Sequence, residues 1–202
     1  MGAEYALEPD AQLMLQVRAG DSAGFDLLLA KYRSPVVGYL ARMVENRAVA
    51  EELAQEVFLR VYRNRDRYEP TAKFTTWLYR IATNLALNSL RDRKHERRQR
   101  SFDDPVDDDR VVPLQPVDGR PTREEELMRQ ARLDVVRNAI LSLPEKQRAA
   151  VLMHKYQELD YEQIGEALGL SVSAVKSLLF RAYETLRGKL GRLAVNHKRQ
   201  RA

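Results

Sequence analysis

Residues 143–182 read LPEKQRAAVLMHKYQELDYEQIGEALGLSVSAVKSLLFRA. Pro144 sits where a first helical position tolerates a missing amide hydrogen. Asp160 followed by Gln163 is a capping-box-like start, so a short helix is predicted over Tyr161–Leu168. Gly169 suits the left-handed residue after that helix, and Ser171 can cap a longer helix beginning at Val172. A short helix, a glycine turn and a longer capped helix make a helix-turn-helix. Ile164, Leu168, Leu170, Val175 and Leu179 can form its small core. That leaves Ser171, Ser173, Ala174, Lys176 and Ser177 near the start of the second helix, with Arg181 one turn later and Arg187 beyond. Small and hydroxyl side chains permit close backbone approach to DNA, and Lys or Arg reaches phosphates or guanine edges. An ordinary helical hairpin with a wet polar face has the same pattern.

Immediately upstream, Leu127, Ala131, Val135 and Ala139 are spaced to line one helix, and Val151, Leu152 and Tyr156 another, giving a second block of four helices. Further back the chain changes character abruptly. The basic run Arg91, Arg93, Lys94, Arg97, Arg98, Arg100 meets the acidic run Asp103, Asp104, Asp107, Asp108, Asp109. Pro105, Pro113, Pro116, Gly119 and Pro121 follow without helical periodicity. Residues 95–122 are therefore expected to be a flexible linker between a first domain over 10–94 and a second over 123–192. The predicted fold class is all-α: two small helical domains joined by that linker, the C-terminal one containing the helix-turn-helix.

In the first block Phe25, Leu28, Leu29, Tyr32, Val36, Leu40, Met43 and Val44 recur at helical steps, with Pro35 expected to kink or interrupt the helix. A second helix, about Ala48 to Arg63, buries Leu53, Val57 and Val61. Its acidic face, Glu51, Glu52, Gln55 and Glu56, repels phosphate, and is either solvated or a docking surface for a basic protein partner. A third helix, about Thr75 to Arg93, has Leu78, Ile81, Ala82, Leu85 and Ser89 on one side and Trp77, Arg80, Asn84, Asn88 and Arg91 on another. An aromatic, two amides and two arginines on one stripe suit unpaired bases and phosphates. Lys73, Phe74, Thr75 and Thr76 form a loop before it that could hold an extruded base. Core packing of Phe74 and Trp77 is an equal alternative.

The chain has 202 residues, 44% of them apolar, enough for one large or two small cores. Its formal charge of +5 fits a polyanionic partner. With no cysteine, disulfides, thiolate nucleophiles and cysteine-built zinc sites are excluded. Three dispersed histidines and aspartates lacking a calcium-loop pattern argue against a metal site, and no nucleophile motif, phosphate loop or carboxylate pair supports an enzyme. Neither a signal peptide nor a membrane span is indicated, so no cofactor, no metal, no membrane insertion and a cytoplasmic location are expected.

Two stretches together resemble a known family. Ala50 to Arg63, AEELAQEVFLRVYR, followed by Phe74 to Leu90, FTTWLYRIATNLALNSL, is similar to the core promoter-binding domain of the sigma-70 family of bacterial RNA polymerase sigma factors. Leu143 to Ala182 resembles that family's C-terminal helix-turn-helix domain, and the order with only a short linker between resembles the extracytoplasmic-function branch. The resemblance implies a non-catalytic, dissociable subunit that binds RNA polymerase core, directs it to promoter DNA and promotes melting. It implies that Glu52, Gln55 and Glu56 face the clamp of the largest catalytic subunit. It assigns Lys73, Phe74, Thr75, Thr76 and Trp77 to capture of a flipped base, and Arg80, Asn84 and Asn88 to the adjacent minus-ten reading face. Ser171, Ser173, Lys176, Ser177 and Arg181 would then read the minus-thirty-five element, and an anti-sigma factor is admitted as a further partner. Leu178 and Tyr183 depart from the family's habit, standing where related chains often carry basic residues. A ligand-sensing helix-turn-helix regulator and a nucleic-acid-processing enzyme are rival readings that fit the acidic helix and the amide-rich stripe less well.

Overall fold

The computed structural model describes residue 5 and residues 8–99 and 123–199. Eight α-helices account for nearly all of these, with no strand among the described residues. The first block comprises α1 (Pro9–Arg18), α2 (Ser22–Val44), α3 (Arg47–Arg63) and α4 (Phe74–Gln99), with a 3-10 turn at Arg65–Arg67. The second comprises α5 (Arg123–Leu141), α6 (Glu145–Tyr156), α7 (Tyr161–Leu168) and α8 (Val172–Arg199).

Helix α1 was not anticipated from the sequence, where Asp10 reads as polar surface although it is buried. Asp10 turns inward, and its carboxylate accepts from Lys31 Nζ at 2.7 Å and from the Tyr32 hydroxyl at 2.5 Å. Burial and the bond to Asp10 both push the Tyr32 hydroxyl's pKa upward. This tie fixes α1 across α2 while Ala11, Met14 and Val17 fill the space below.

Helix α2 starts at Asp21, whose side chain accepts from the Ala23 amide at 2.9 Å. Of the kink or interruption expected at Pro35, the interruption does not occur, and the helix runs continuously through it. Pro35 itself is exposed, while Tyr32, Val36, Tyr39 and Leu40 on either side are buried, so packing outweighs the lost backbone bond. The helix stops at Glu45, which adopts the left-handed conformation at φ 65°. Asn46 then caps α3 by accepting from Val49 at 3.0 Å. Helix α4 extends to Gln99, past the boundary expected at residue 94. The basic run consists of good helix formers, and the first proline comes only at Pro105. Residues 100–122, the rest of the expected linker, lie outside the described residues.

In the second block the capping box at Asp160 and Gln163 is formed in both directions, each bond 2.9 Å. Pro144 stands at the N-cap of α6 rather than at its first helical position. The stripe expected on α5 is only partly covered: Ala139 is buried, whereas Leu127 and Ala131 are exposed. Ile164 and Val175 are fully enclosed and Leu179 nearly so, with Leu168 and Leu170 half-buried against them.

The two blocks lie against each other, α2 and α4 packing on α5, α6 and α7, and their apolar side chains form one buried cluster. Arg148 of α6 is buried at the seam, where burial lowers its pKa from the ordinary guanidinium value and Glu45 opposes that shift.

Gly165 sets the closeness of the helix-turn-helix. A β-carbon there would meet the Leu170 carbonyl oxygen at 2.7 Å, and that oxygen belongs to the turn's own backbone. Gly165→Ala is expected to cost about 1–3 kcal/mol in urea unfolding. A loss below about 0.5 kcal/mol, the range of surface substitutions, would show that the turn gives way.

Candidate nucleic-acid and polymerase interface

The start of α4 separates residues that the sequence grouped together. Phe74 is fully buried, with its ring 5.5 Å from that of Tyr32 and its amide donating to Glu8 Oε2 at 3.2 Å. Thr76 is also buried, and its hydroxyl has no partner among the described residues. Neither side chain can meet a base without rearrangement, so both depart from the expectation of a base-holding loop. Position 74 packs against Tyr32 of α2. Trp77 is half-buried, its ring 5.1 Å from Tyr68 and 6.0 Å from Phe74. Burial pushes the Tyr68 hydroxyl's pKa up to about 12, and that hydroxyl has no hydrogen-bond partner among the described residues. Lys73 is exposed and Thr75 half-buried.

One turn on, the expected stripe is present. Arg80, Asn84, Asn88 and Arg91 are exposed, while Leu78, Ala82 and Leu85 are buried and Ile81 and Ser89 half-buried. Thr83 anchors the helix from below: its hydroxyl donates to the Tyr79 carbonyl at 2.6 Å and pairs with the Tyr39 hydroxyl at 2.7 Å.

On α3 the acidic face is partly neutralised by its own helix. Arg47 reaches Glu51 at 3.0 Å, and Arg60 reaches Glu56 at 2.7 Å. Glu52 and Gln55 are exposed, and among the described residues neither has a salt bridge or side-chain hydrogen bond. The charge open to a partner is therefore concentrated at Glu52.

In the helix-turn-helix, Ser171, Ser173, Lys176, Ser177 and Arg181 are all exposed. The Ser171 hydroxyl accepts from Ala174 at 3.3 Å, the Lys176 ammonium lies 5.9 Å from the Tyr161 ring centre, and Arg181 Nε donates to the Ser177 carbonyl at 3.3 Å. Leu178 and Tyr183 turn inward. Leu178 packs on the core, and the Tyr183 hydroxyl meets His154 Nδ1 at 2.9 Å. Burial lowers the His154 pKa, with neighbouring Lys155 adding to the effect. The two positions expected to be basic by the family resemblance are thus used for packing. Phe180 is 68% exposed and shares the outward face of Lys176, Ser177 and Arg181, a feature overlooked in the sequence. Its signal was present: a large apolar residue four positions after Lys176, where the buried stripe of Val175, Leu179 and Ala182 leaves it outside.

Two family descriptions match the chain, Sigma-70 region 2 over residues 28–96 and Sigma-70 region 4 over residues 133–186. The RNA polymerase sigma factor CarQ of Myxococcus xanthus is 36% identical over 180 residues, covering 89% of this chain and 97% of that protein. The chain is a sigma factor of the sigma-70 family, of the extracytoplasmic-function kind. Another relative, the sigma factor SigW of Bacillus subtilis, is 33% identical over 177 residues, 87% of this chain and 93% of SigW. Among solved structures, CnrH in complex with the cytosolic domain of CnrY matches with a TM-score of 0.66 at 19% identity, over 90% of this chain and 97% of that one. The sigma factor RpoE in complex with the anti-sigma factor NepR from Bartonella quintana also gives 0.66 at 19% identity, over 83% and 96%. At that identity the likeness concerns the fold. This sigma factor binds RNA polymerase core, directs it to promoters and promotes DNA melting. Among its described residues no helix is long and apolar enough to cross a membrane.

Proposed function

We propose that the sigma factor divides promoter recognition between α4 and α8, and that α3 docks on the polymerase clamp. The observation that carries this reading is the exposed set Arg80, Asn84 and Asn88 on a helix whose opposite face is core. Amides and guanidinium groups held on a rigid helix suit bases already out of the stack, because binding extruded bases offsets an unstacking cost of a few kcal/mol. Lys73, Thr75 and the accessible part of Trp77 would border the melted minus-ten element, while Phe74 and Thr76 shape the turn from beneath. Ser171, Ser173, Lys176, Ser177 and Arg181 would read the minus-thirty-five element from the major groove. Phe180 adds an apolar contact there, of the kind that recognises a thymine methyl group. Glu52 and Gln55, with Glu56, would face the clamp. The chain acts without catalysis of its own and works in the cytoplasm. By analogy with the Bartonella relative solved with NepR, an anti-sigma factor is its regulatory partner.

Replacing Thr75 and Asn84 together by alanine, and sparing buried Thr76, should leave closed-complex formation intact and reduce opening. Permanganate reactivity of promoter thymines would fall, and a pre-melted bubble should restore part of the transcription. Normal melting by the double variant would remove α4 from the opening step.

Glu52→Arg should weaken core association by tenfold or more with unchanged circular dichroism, since reversing a rim charge makes an interface pair repulsive. Unaltered core affinity would make this face merely solvated.

For Phe180, substituting deoxyuridine for each upstream thymine in turn removes one methyl group at a time. The wild-type chain should lose several-fold affinity at one or two positions and Phe180→Ala should be indifferent to them. Equal sensitivity of both chains would place Phe180 off the DNA.

A further inference from the structure

We propose that α1 works as a two-ended strap under the loop 68–73, and that Glu8 and Arg18 are positioning residues for capture of an unpaired base. The N-terminus of α4 lacks acceptors of its own. Lys73 precedes the helix with no side-chain oxygen to offer, and the first turn carries no acidic residue. The missing acceptor comes from the far end of the first block, where the Glu8 carboxylate accepts from the Phe74 amide at 3.2 Å. An anion at this end also complements the helix dipole. Glu8 stands at the N-cap of α1 yet makes no capping bond within that helix, so its side chain serves α4 instead. At the other end of α1, Arg18 Nη1 donates to the Tyr68 carbonyl at 2.9 Å. Glu8 thus holds the end of the loop and Arg18 its beginning.

A strap must itself be fixed, and α1 is fastened to α2 at two places. Asp10 accepts from Lys31 and Tyr32 near its start. Further along, a β-carbon at Gly24 would meet the Leu13 carbonyl oxygen at 2.7 Å, so the two backbones are as close as a residue without a side chain allows. From Glu8 to Arg18 the helix is a rigid spacer of about 15 Å. Between the two ties the loop arches outward. Tyr68 and Phe74 are buried at its base with their rings 6.4 Å apart, whereas Glu69, Thr71 and Lys73 are exposed. The base of the arch is not fully satisfied, because the Tyr68 and Thr76 hydroxyls are buried with no hydrogen-bond partner among the described residues. Such groups favour any movement that brings them water, so the seat needs fastening from outside, and the two ties supply it. A loop fixed in advance gives up less conformational freedom when a base arrives, which raises affinity for the base without touching it.

The strap acts on capture through the proposed place of Lys73, Thr75 and Trp77 at the border of the melted minus-ten element, and it depends on that assignment. Polymerase core carrying the full chain is bound to fork DNA from a promoter it transcribes, with the minus-ten non-template strand unpaired. Each unpaired base is removed in turn to leave an abasic site. The wild-type chain should lose roughly tenfold affinity or more at one or two positions. Arg18→Ala and Glu8→Ala should each shrink that loss to about threefold or less, while binding the abasic DNA as the wild type does. Glu8→Gln keeps an oxygen that accepts from the Phe74 amide and should retain most of the wild-type discrimination. Circular dichroism and core affinity should be unchanged in all three variants. A general loosening of the fold would weaken binding of intact and abasic DNA alike, and that outcome, or full discrimination in both alanine variants, overturns the strap. If the wild-type chain itself ignores every missing base, the assignment of the α4 start to the melted element falls, and the strap with it.

Discussion

Helix α4 must do two things with one backbone, and the remainder of the first block follows from that constraint. A period of 3.6 residues lets Leu78, Ala82 and Leu85 sink into the core while Arg80, Asn84 and Asn88 stay in water. The buried stripe needs a rigid floor, and α2 supplies it through the Tyr39 and Thr83 hydroxyl pair and the edge-on packing of Tyr39 against Tyr79 at 5.3 Å. A floor of this kind explains why α2 remains continuous through Pro35. Ending it there would withdraw Tyr39 from α4, and the cost of one absent backbone bond is smaller than that of opening the core.

Much of this was legible in the sequence. The helix-turn-helix could be read almost to the residue because its signals are local: a capping box, a glycine in the left-handed region and a capping serine each act within four positions. The two-faced character of α4 was legible for the same reason. What escaped depended on long-range partners. Helix α1 is held by a carboxylate whose partners, Lys31 and Tyr32, lie more than 20 positions away, and an inward-facing aspartate reads as polar surface in any periodicity argument. Phe74 and Thr76 could be sorted from Lys73 and Thr75 only once Tyr32, Tyr68 and Glu8 were seen around them.

The departures from family habit at Leu178 and Tyr183 have a packing explanation. Tyr183 reaches His154, whose ring stacks on Tyr161 at 5.5 Å, and Tyr161 in turn lies beside Lys176. The exposed Lys176 is therefore flanked by an aromatic chain that starts on the inward side of its own helix. Leu178 and Tyr183 act as supports within this domain.

The salt-linked tie at Asp10 bears on where this protein can be cut. The matched region 2 begins at residue 28, inside α2, yet the residues that close the underside of α2 come from α1. A fragment trimmed to the matched boundary would strand the Tyr32 hydroxyl and uncover the floor on which Phe74 rests. A fragment of the first block that keeps this tie therefore begins no later than Glu8, whose carboxylate also holds the Phe74 amide, some twenty residues before the matched region 2 starts.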